Sequence, residues 1–265
     1  METGGKEMKI SPEEITKRCA DLVDTRGSGG GAALVLFGSV ARGDADVNSD
    51  IDLLFAVDGT RLHAAEPVTH SIASGIGPRC SVVTRSFEQL EWMAARGSVF
   101  MLHLQLEAIV LNDPAHRLRK LLASPNIVDF NSEKEGLRQS SAVLYARDLD
   151  LRLAVTLRVV KHLLRRATML ECARRGRPVF STHSVSLELG DQRLPTMLAS
   201  NSCQYRCAAS MRSALADYVG VPSNAGEALS ALALRPHTRS LVRDLLSAAA
   251  TIAYDGFVEQ ALIAA

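Results

Sequence analysis

The first half of the chain alternates short, nearly continuous apolar runs with longer stretches whose apolar residues recur at helical spacing. Short apolar runs bounded by Gly or Asp are typical of strands that are buried on both faces of a sheet. We therefore predict strands over residues 32–37, 51–57, 80–84 and 108–111. Helical spacing and capping signals, such as Ser86 followed by Gln89, predict helices between the strands. These helices cover residues 61–74, 87–96, 98–107 and 115–122, and an N-terminal one begins at Ser11.

The pattern changes near residue 123, after which the signal for strands disappears. Apolar residues then recur at intervals of three and four, as in the series Leu151, Val155, Val159 and Leu163, which is the spacing of an amphipathic helix. We predict two long helices within residues 132–175, with a break near Asp148. A loop over 175–184 follows, and after it come helices over 184–199, 203–218, 224–233 and 237–261.

These elements predict an α+β fold class with two domains. Residues 1–125 would form a small mixed β-sheet domain with flanking helices, including the N-terminal one. Residues 126–265 would form an all-α helical bundle domain. The chain of 265 residues is long enough for each domain to bury a core of its own.

Composition narrows the class of protein without identifying it. Thirty Lys and Arg residues against 29 Asp and Glu residues give a net charge of +1, so bulk charge does not indicate a binder of nucleic acid or membranes. The five cysteines are irregularly spaced, as expected for free thiols in a reducing compartment. The polar N-terminus lacks the apolar segment of a signal peptide, and no apolar run is long enough to span a membrane. We expect a cytoplasmic protein.

Candidate chemistry lies where the first predicted strand ends and the second begins. Asp50 and Asp52 are two residues apart, so on a strand their side chains point to the same face. Two adjacent carboxylates repel each other unless a cation lies between them, and a divalent ion with oxygen ligands is the natural candidate. Upstream, Gly38 and Ser39 form a predicted tight turn, where the backbone can approach a ligand closely and a following helix start can hold phosphate oxygens. A phosphate cradle beside a metal clamp indicates nucleotidyl transfer.

The stretch FGSVARGDADVNSDIDLLF, residues 37–55, closely resembles the signature of the DNA polymerase β-like nucleotidyltransferases, and most closely that of the minimal prokaryotic members. Their pattern is Gly-Ser, then Arg-Gly, then Ser-Asp-x-Asp-Leu on the next strand. Eight positions agree in type and spacing over about sixteen residues: Gly38, Ser39, Arg42, Gly43, Ser49, Asp50, Asp52 and Leu53. The resemblance covers about residues 30–122, because LEAIVLNDPAHRLRKLL also looks like the closing strand and helix of that domain.

The resemblance implies a fold, an activity and a set of site residues. The fold would be a small mixed sheet flanked by helices. Asp50 and Asp52 would be the catalytic and metal-binding residues, holding one or two Mg²⁺ ions. The nucleoside triphosphate would be held by Gly38, Ser39, Arg42, Gly43 and Ser49. For Arg42, a surface salt bridge is an alternative to a phosphate contact.

One departure from the family pattern bears on activity. The family has a third carboxylate on a later strand, and here the matching position is Ser81, in a strand without Asp or Glu. In the family, this carboxylate completes the metal shell or acts as general base. Its absence leaves two hypotheses open, an active enzyme in which another group fills the role and a degenerate module that only binds.

As an enzyme, the protein would transfer a nucleoside monophosphate from a nucleoside triphosphate to a hydroxyl and release pyrophosphate. The acceptor could be a small molecule, a protein side chain or an RNA end, and the near-neutral charge disfavours a long nucleic acid. As a binding module, it could be an antitoxin or a nucleotide-sensing regulator. A partner toxin or a homodimer fits either hypothesis, and no membrane partner is expected.

Overall fold

The computed structural model describes most of the chain from residue 31 to residue 245. The described residues are 13–15, 17, 18, 31–45, 49–77, 79–149, 154–199, 205–239, 241–243 and 245. The chain divides into two compact units, the first ending at Asp129 and the second beginning at Phe130. The predicted domain boundary between residues 125 and 126 lies in the same irregular connection.

The first unit is built on a four-stranded mixed sheet, as predicted. Its strands are β1 (Ala33–Phe37), β2 (Ile51–Val57), β3 (Cys80–Ser86) and β4 (Ile109–Asn112). Their order in the sheet is β3-β2-β1-β4. The central strand β1 pairs antiparallel with both β2 and β4, whereas β2 and β3 are parallel. All five residues of β1 and six of the seven of β2 are buried, which explains why both strands read as continuous apolar runs.

Five described helices accompany the sheet: α1 (Gly38–Arg42), α2 (Glu66–Ile76), α3 (Phe87–Ala95), α4 (Val99–Glu107) and α5 (Arg117–Ala123). One face of the sheet packs against α2, through residues such as Ile72 and Ile76. The other face packs against α3, α4 and α5, through residues such as Leu90, Leu104 and Leu118. The capping box predicted from Ser86 and Gln89 is present at the start of α3.

The second unit is all-helical in its described part. Its helices are α6 (Phe130–Ser141), α7 (Ala154–Arg174), α8 (Thr182–Leu189), α9 (Leu194–Ala199), α10 (Tyr205–Val219) and α11 (Leu229–Leu232). The long helix α7 packs against α6, α8 and α10. The predicted α+β fold class, with a mixed-sheet region followed by a helical region, is therefore confirmed. No helix within the described ranges has the length and apolar character needed to cross a membrane.

Several predicted helix boundaries are wrong for local reasons. The single helix expected over residues 184–199 is two helices, because Gly190 adopts a left-handed conformation (φ 68°) that ends α8. The helix expected over 61–74 begins as a 3₁₀ turn at Gly59–Ala64 and becomes α-helical only at Glu66, with Pro67 in its first turn. The predicted helix over 224–233 is reduced to α11.

Some predictions fall outside the described residues. Of the N-terminal helix, residues 13–15, 17 and 18 are described and are helical, and Ile15 is completely buried in the core. Of the helix predicted over 237–261, residues 237 and 238 are described as a turn, and residues 239, 241–243 and 245 are described and are helical. The remainder of both segments lies outside the described part of the chain.

Gly97 joins α3 to α4 at a point where a side chain would not fit. Its φ is +65°, and an added Cβ would lie 2.6 Å from the amide nitrogen of Asp129 and would also collide with the carbonyl of Ile127. The same backbone accepts a hydrogen bond, from Asp129 N to Gly97 O at 3.1 Å. The glycine therefore fixes the close approach of residues 127–129 to the α3–α4 connection.

We expect Gly97→Ala to lower the free energy of unfolding by about 2–4 kcal/mol, because a left-handed alanine and a backbone collision act together. Gly136→Ala is the control, since Gly136 lies inside α6 with open space around its Cα. That change should be stabilising by about 0.5–1 kcal/mol. Urea unfolding followed by circular dichroism measures both, and equal effects would contradict the assigned role of Gly97.

Candidate functional site

The predicted site residues meet at one end of the sheet, where β1 ends and β2 and β3 begin. In the antiparallel pair, Phe37 at the end of β1 lies opposite Asp52. In the parallel pair, Asp52 lies beside Ser81. The register therefore brings the turn after β1, the second aspartate and the expected third-carboxylate position into adjacent places.

Asp52 lies on the sheet face that packs against α3 and α4, because it shares the alternation of Leu54 and Ala56, which are buried there. Its own side chain is half-buried, since it stands at the beginning of the strand. Asp50 immediately precedes β2 and is exposed, and Ser49 beside it is half-buried. The site thus has one carboxylate held by the sheet and a second on the solvent side of it.

Gly38 follows β1 and faces Asp52 directly. Its φ is +77°, and a Cβ built on it would lie 3.3 Å from Asp52 Cγ and would collide with the Oδ2 oxygen. The residue at position 38 therefore has to be glycine for the Asp52 carboxylate to occupy its place. The predicted glycine turn and the predicted metal-binding carboxylate are in contact range across the β1–β2 pair.

The segment after Gly38 forms the single short helix α1, in which Val40 is buried and Ser39 is half-buried. The helix ends at Gly43, whose φ is +79° and whose N–H donates to Val40 O at 3.2 Å. The N–H of Asp44 donates to Ser39 O at 3.1 Å and closes the turn. Both glycines of the sequence motif therefore occupy left-handed positions, but only Gly38 also has a crowded neighbour.

Arg42 lies in a network of ion pairs that includes residues far away in the sequence. Its Nη1 donates to Glu107 Oε2 at 2.7 Å, and its Nε donates to Asp44 Oδ2 at 3.1 Å. His103 Nε2 lies 2.7 Å from the same oxygen of Glu107. Neither Glu107 nor His103 was predicted from the sequence to belong to the site. Their i,i+4 spacing on α4 signals the pair, but no local signal indicates Arg42 as its partner.

Electrostatics in this network favour the charged forms of Arg42 and Glu107. Burial alone would raise the pKa of Glu107, but hydrogen bonds from His103 and Arg42 outweigh it and lower that pKa. Burial would lower the pKa of Arg42, but its bonds to Glu107 and Asp44 raise it. Next to Asp52, burial and the carboxylate's negative charge raise the pKa of the Cys80 thiol to about 11. The thiol is therefore protonated at neutral pH.

Asp50 and Asp52 could supply only part of the octahedral ligand set that Mg²⁺ requires. Within the described ranges, no three His, Cys, Asp or Glu side chains group closely enough to hold a metal ion. The register confirms that Ser81, and not a carboxylate, adjoins Asp52. Mg²⁺ commonly uses one or two carboxylates and takes its remaining ligands from water and substrate phosphates. Two carboxylates beside an open glycine turn fit that requirement if a phosphate chain supplies the other oxygens.

Comparison with known families agrees with this geometry. Residues 14–97 match a family model described as a nucleotidyltransferase domain. The match includes all the predicted site residues and the position of Ser81. No curated protein matches the chain. The N-terminal region therefore carries a nucleotidyltransferase domain, consistent with the resemblance to the polymerase β-like nucleotidyltransferases, and a helical region follows it.

The contact between Gly38 and Asp52 can be tested with a matched pair of glycines. Gly43→Ala should cost about 1 kcal/mol of unfolding free energy, because its φ is left-handed but its surroundings are open. Gly38→Ala should cost about 1–3 kcal/mol more, because its Cβ also collides with Asp52. In an Asp52→Ala background that extra cost should disappear. Urea unfolding of Gly38→Ala, Gly43→Ala, Asp52→Ala and the double variant Gly38→Ala/Asp52→Ala measures this extra cost. If the extra cost persists in the Asp52→Ala background, Asp52 is not the residue with which the added Cβ collides.

The Glu107 network predicts a specific pH dependence. Because folding lowers the pKa of Glu107 from its ordinary value of 4.5, its stabilisation is present above that value and is lost as pH falls through the lower, folded value. Glu107→Gln should therefore be less stable than wild type at pH 7, by about 1–3 kcal/mol. The difference should shrink steadily below about pH 4.5. Chemical unfolding of both proteins at several pH values measures it, and a difference independent of pH would contradict the assignment.

Proposed function

We propose that the nucleotidyltransferase domain within residues 14–97 transfers a nucleoside monophosphate from a nucleoside triphosphate to a hydroxyl acceptor in a Mg²⁺-dependent reaction. The observation that carries this proposal is the placement of the Asp52 carboxylate against Gly38, at the turn that the family signature assigns to the triphosphate.

The proposed roles follow the family signature and the geometry. Asp50 and Asp52 hold Mg²⁺, which when bound neutralises charge on the phosphate oxygens. The triphosphate lies along the turn formed by Gly38 and Ser39. Gly43 ends that turn and allows the chain to reverse towards Asp50. Ser49, which precedes Asp50, also binds the nucleotide, and the guanidinium of Arg42 contributes positive charge near the phosphates.

The reaction is an in-line displacement at the α-phosphorus. The acceptor hydroxyl oxygen forms a bond to that phosphorus, and the bond from the phosphorus to the α–β bridging oxygen breaks. Pyrophosphate leaves with the electron pair, and the acceptor hydroxyl gives up its proton. The chain contributes mainly by positioning the triphosphate and by holding charge near its oxygens, which account for most of phosphoryl-transfer catalysis.

The serine at position 81 limits where the proton of the acceptor hydroxyl can go. A serine hydroxyl beside Asp52 cannot accept the acceptor's proton at neutral pH as a carboxylate could. The proton therefore goes to water, to the acceptor itself or to a group outside β3. The near-neutral net charge favours a small molecule or a protein side chain over a long nucleic acid as acceptor.

Ser81 also favours a second candidate function. A nucleotidyltransferase fold without the third carboxylate could bind nucleoside triphosphates without transferring them, as an antitoxin or a nucleotide-sensing regulator. The two functions differ in one observable, the release of pyrophosphate. Ser81→Asp sharpens the test, because it would restore a carboxylate beside Asp52. Transfer that is absent in wild type and gained in Ser81→Asp would support the binding module.

The proposal predicts that Asp52→Asn abolishes transfer. Each α-labelled nucleoside triphosphate is incubated with the protein, Mg²⁺ and either cell lysate or a panel of hydroxyl-bearing small molecules. Labelled product and pyrophosphate are then measured. We expect Asp52→Asn to lower the transfer rate by at least about 100-fold, because Mg²⁺ is no longer held where it neutralises the phosphate charge. EDTA should lower the rate to the same extent.

Asp58→Asn is the matched control, because Asp58 directly follows the other end of β2 and pairs with Arg117 on the surface. Removing that exposed pair should change stability by less than about 1 kcal/mol and leave the transfer rate unchanged. Turnover in Asp52→Asn equal to that of the control would eliminate the assigned site. Triphosphate binding without any pyrophosphate release in wild type would transfer support to the binding module.

A further inference from the structure

Behind the glycine turn, three side chains from two elements form a chain of short hydrogen bonds. Glu107 Oε2 is shared by Arg42 Nη1 and His103 Nε2, each at 2.7 Å. Because a carboxylate only accepts hydrogen bonds, the shared contact requires that His103 carries its proton on Nε2. Arg42 ends α1, and the other two residues lie on α4.

This chain is largely withdrawn from solvent. The side chains of Glu107 and His103 are each 11% exposed, and that of Arg42 is 15% exposed. The other partner of Arg42, Asp44, is 43% exposed. A buried charge-assisted bond is stronger and less screened than an exposed one, so Glu107 and not Asp44 determines where the guanidinium lies.

The chain is also anchored to the strand that carries the site. The His103 ring packs edge-on against Phe37, with centroids 5.8 Å apart and an interplanar angle of 84°. Phe37 is the residue that precedes Gly38 and pairs with Asp52. The position of the guanidinium is thus coupled through Glu107, His103 and Phe37 to the same pair of strands that holds the carboxylate opposite the turn.

We propose that Glu107 and His103 are positioning residues that hold the Arg42 guanidinium ready for the triphosphate. This inference rests on the proposed function, in which Arg42 contacts the phosphate chain. Arginine has five N–H donors, and the contacts of Arg42 with Asp44 and Glu107 use Nε and one N–H of Nη1. Within the described part of the chain Nη2 has no acceptor, so this edge is the one that a phosphate oxygen would use.

The benefit of such an arrangement lies in conformational entropy. A free arginine side chain loses rotamer freedom when a ligand fixes it, and that loss weakens binding. Here much of the loss has already occurred on folding, because the buried carboxylate of Glu107 holds the guanidinium. Pre-ordering of this kind increases affinity without any additional contact to the ligand.

The test uses inorganic tripolyphosphate with Mg²⁺ as probe, which reports on the phosphate pocket independently of base, acceptor and turnover. We expect Glu107→Gln to weaken binding about tenfold, because the neutral amide holds the guanidinium less firmly. Asp44→Asn, the control from the exposed side of the same arginine, should change it less than about twofold. In an Arg42→Ala background, Glu107→Gln should have no further effect.

A second measurement follows the guanidinium without any ligand. In wild type, the resonance of the Arg42 Nη1–H, which donates to Glu107, should show slow hydrogen exchange in ¹⁵N NMR, and Glu107→Gln should accelerate that exchange. His103→Phe retains an aromatic ring against Phe37 but loses the donor, so it should give an intermediate effect in both measurements. These two variants also protect the test against a single variant that fails to fold.

The inference is overturned if Glu107→Gln leaves tripolyphosphate affinity unchanged, or weakens it equally when Arg42 is already alanine. Unchanged exchange at Arg42 Nη1 in Glu107→Gln overturns it as well. Failure of the proposed function gives a different result: no transfer to any acceptor by wild type, with tripolyphosphate binding still sensitive to Glu107. The two proposals can therefore fail separately.

Discussion

The antiparallel pairing of β1 with β2 is the constraint on which the rest of the site depends. It places Phe37 opposite Asp52 and so brings Gly38 into contact range of the carboxylate. If the pairing slipped by one residue, Asp52 would point into the core on the opposite face of the sheet. Leu53 and Phe55, which are buried in that core, would then point away from it. Because helices cover both faces of these strands, each core would then receive side chains that belong to the other face. The double-sided core therefore fixes the chemistry as well as the fold.

Surrounding residues adapt to the charge that this register imposes. Asp52 stands at the beginning of β2, and its carboxylate is only half-buried. Its neighbour on β3 is a neutral serine, and its neighbour on the other face is a thiol that burial and the carboxylate keep protonated. Neither of these two neighbours carries a positive charge, so neither neutralises the carboxylate.

Much of the first unit could be predicted from sequence because its signals are local. The strands appear as apolar runs, the start of α3 as a capping box, and the site as glycines and aspartates at fixed spacing within residues 38–52. Arg42 and Glu107 are 65 residues apart, and only the folded sheet brings the end of β1 next to the beginning of β4 and the end of α4. Likewise, the break at Gly190 depended on a left-handed conformation that helical periodicity alone does not indicate.

The exchange of a carboxylate for Ser81 affects some components of catalysis more than others. General-base assistance typically contributes about 10²–10⁴-fold to a rate. In phosphoryl transfer, the larger contribution comes from positioning and from stabilising charge on the phosphate oxygens. The groups proposed for those tasks, from Gly38 to Asp52, are in place, and the Arg42 network supports them. We therefore prefer the proposed transferase, in which the proton leaves to the acceptor or to water, to a module that only binds.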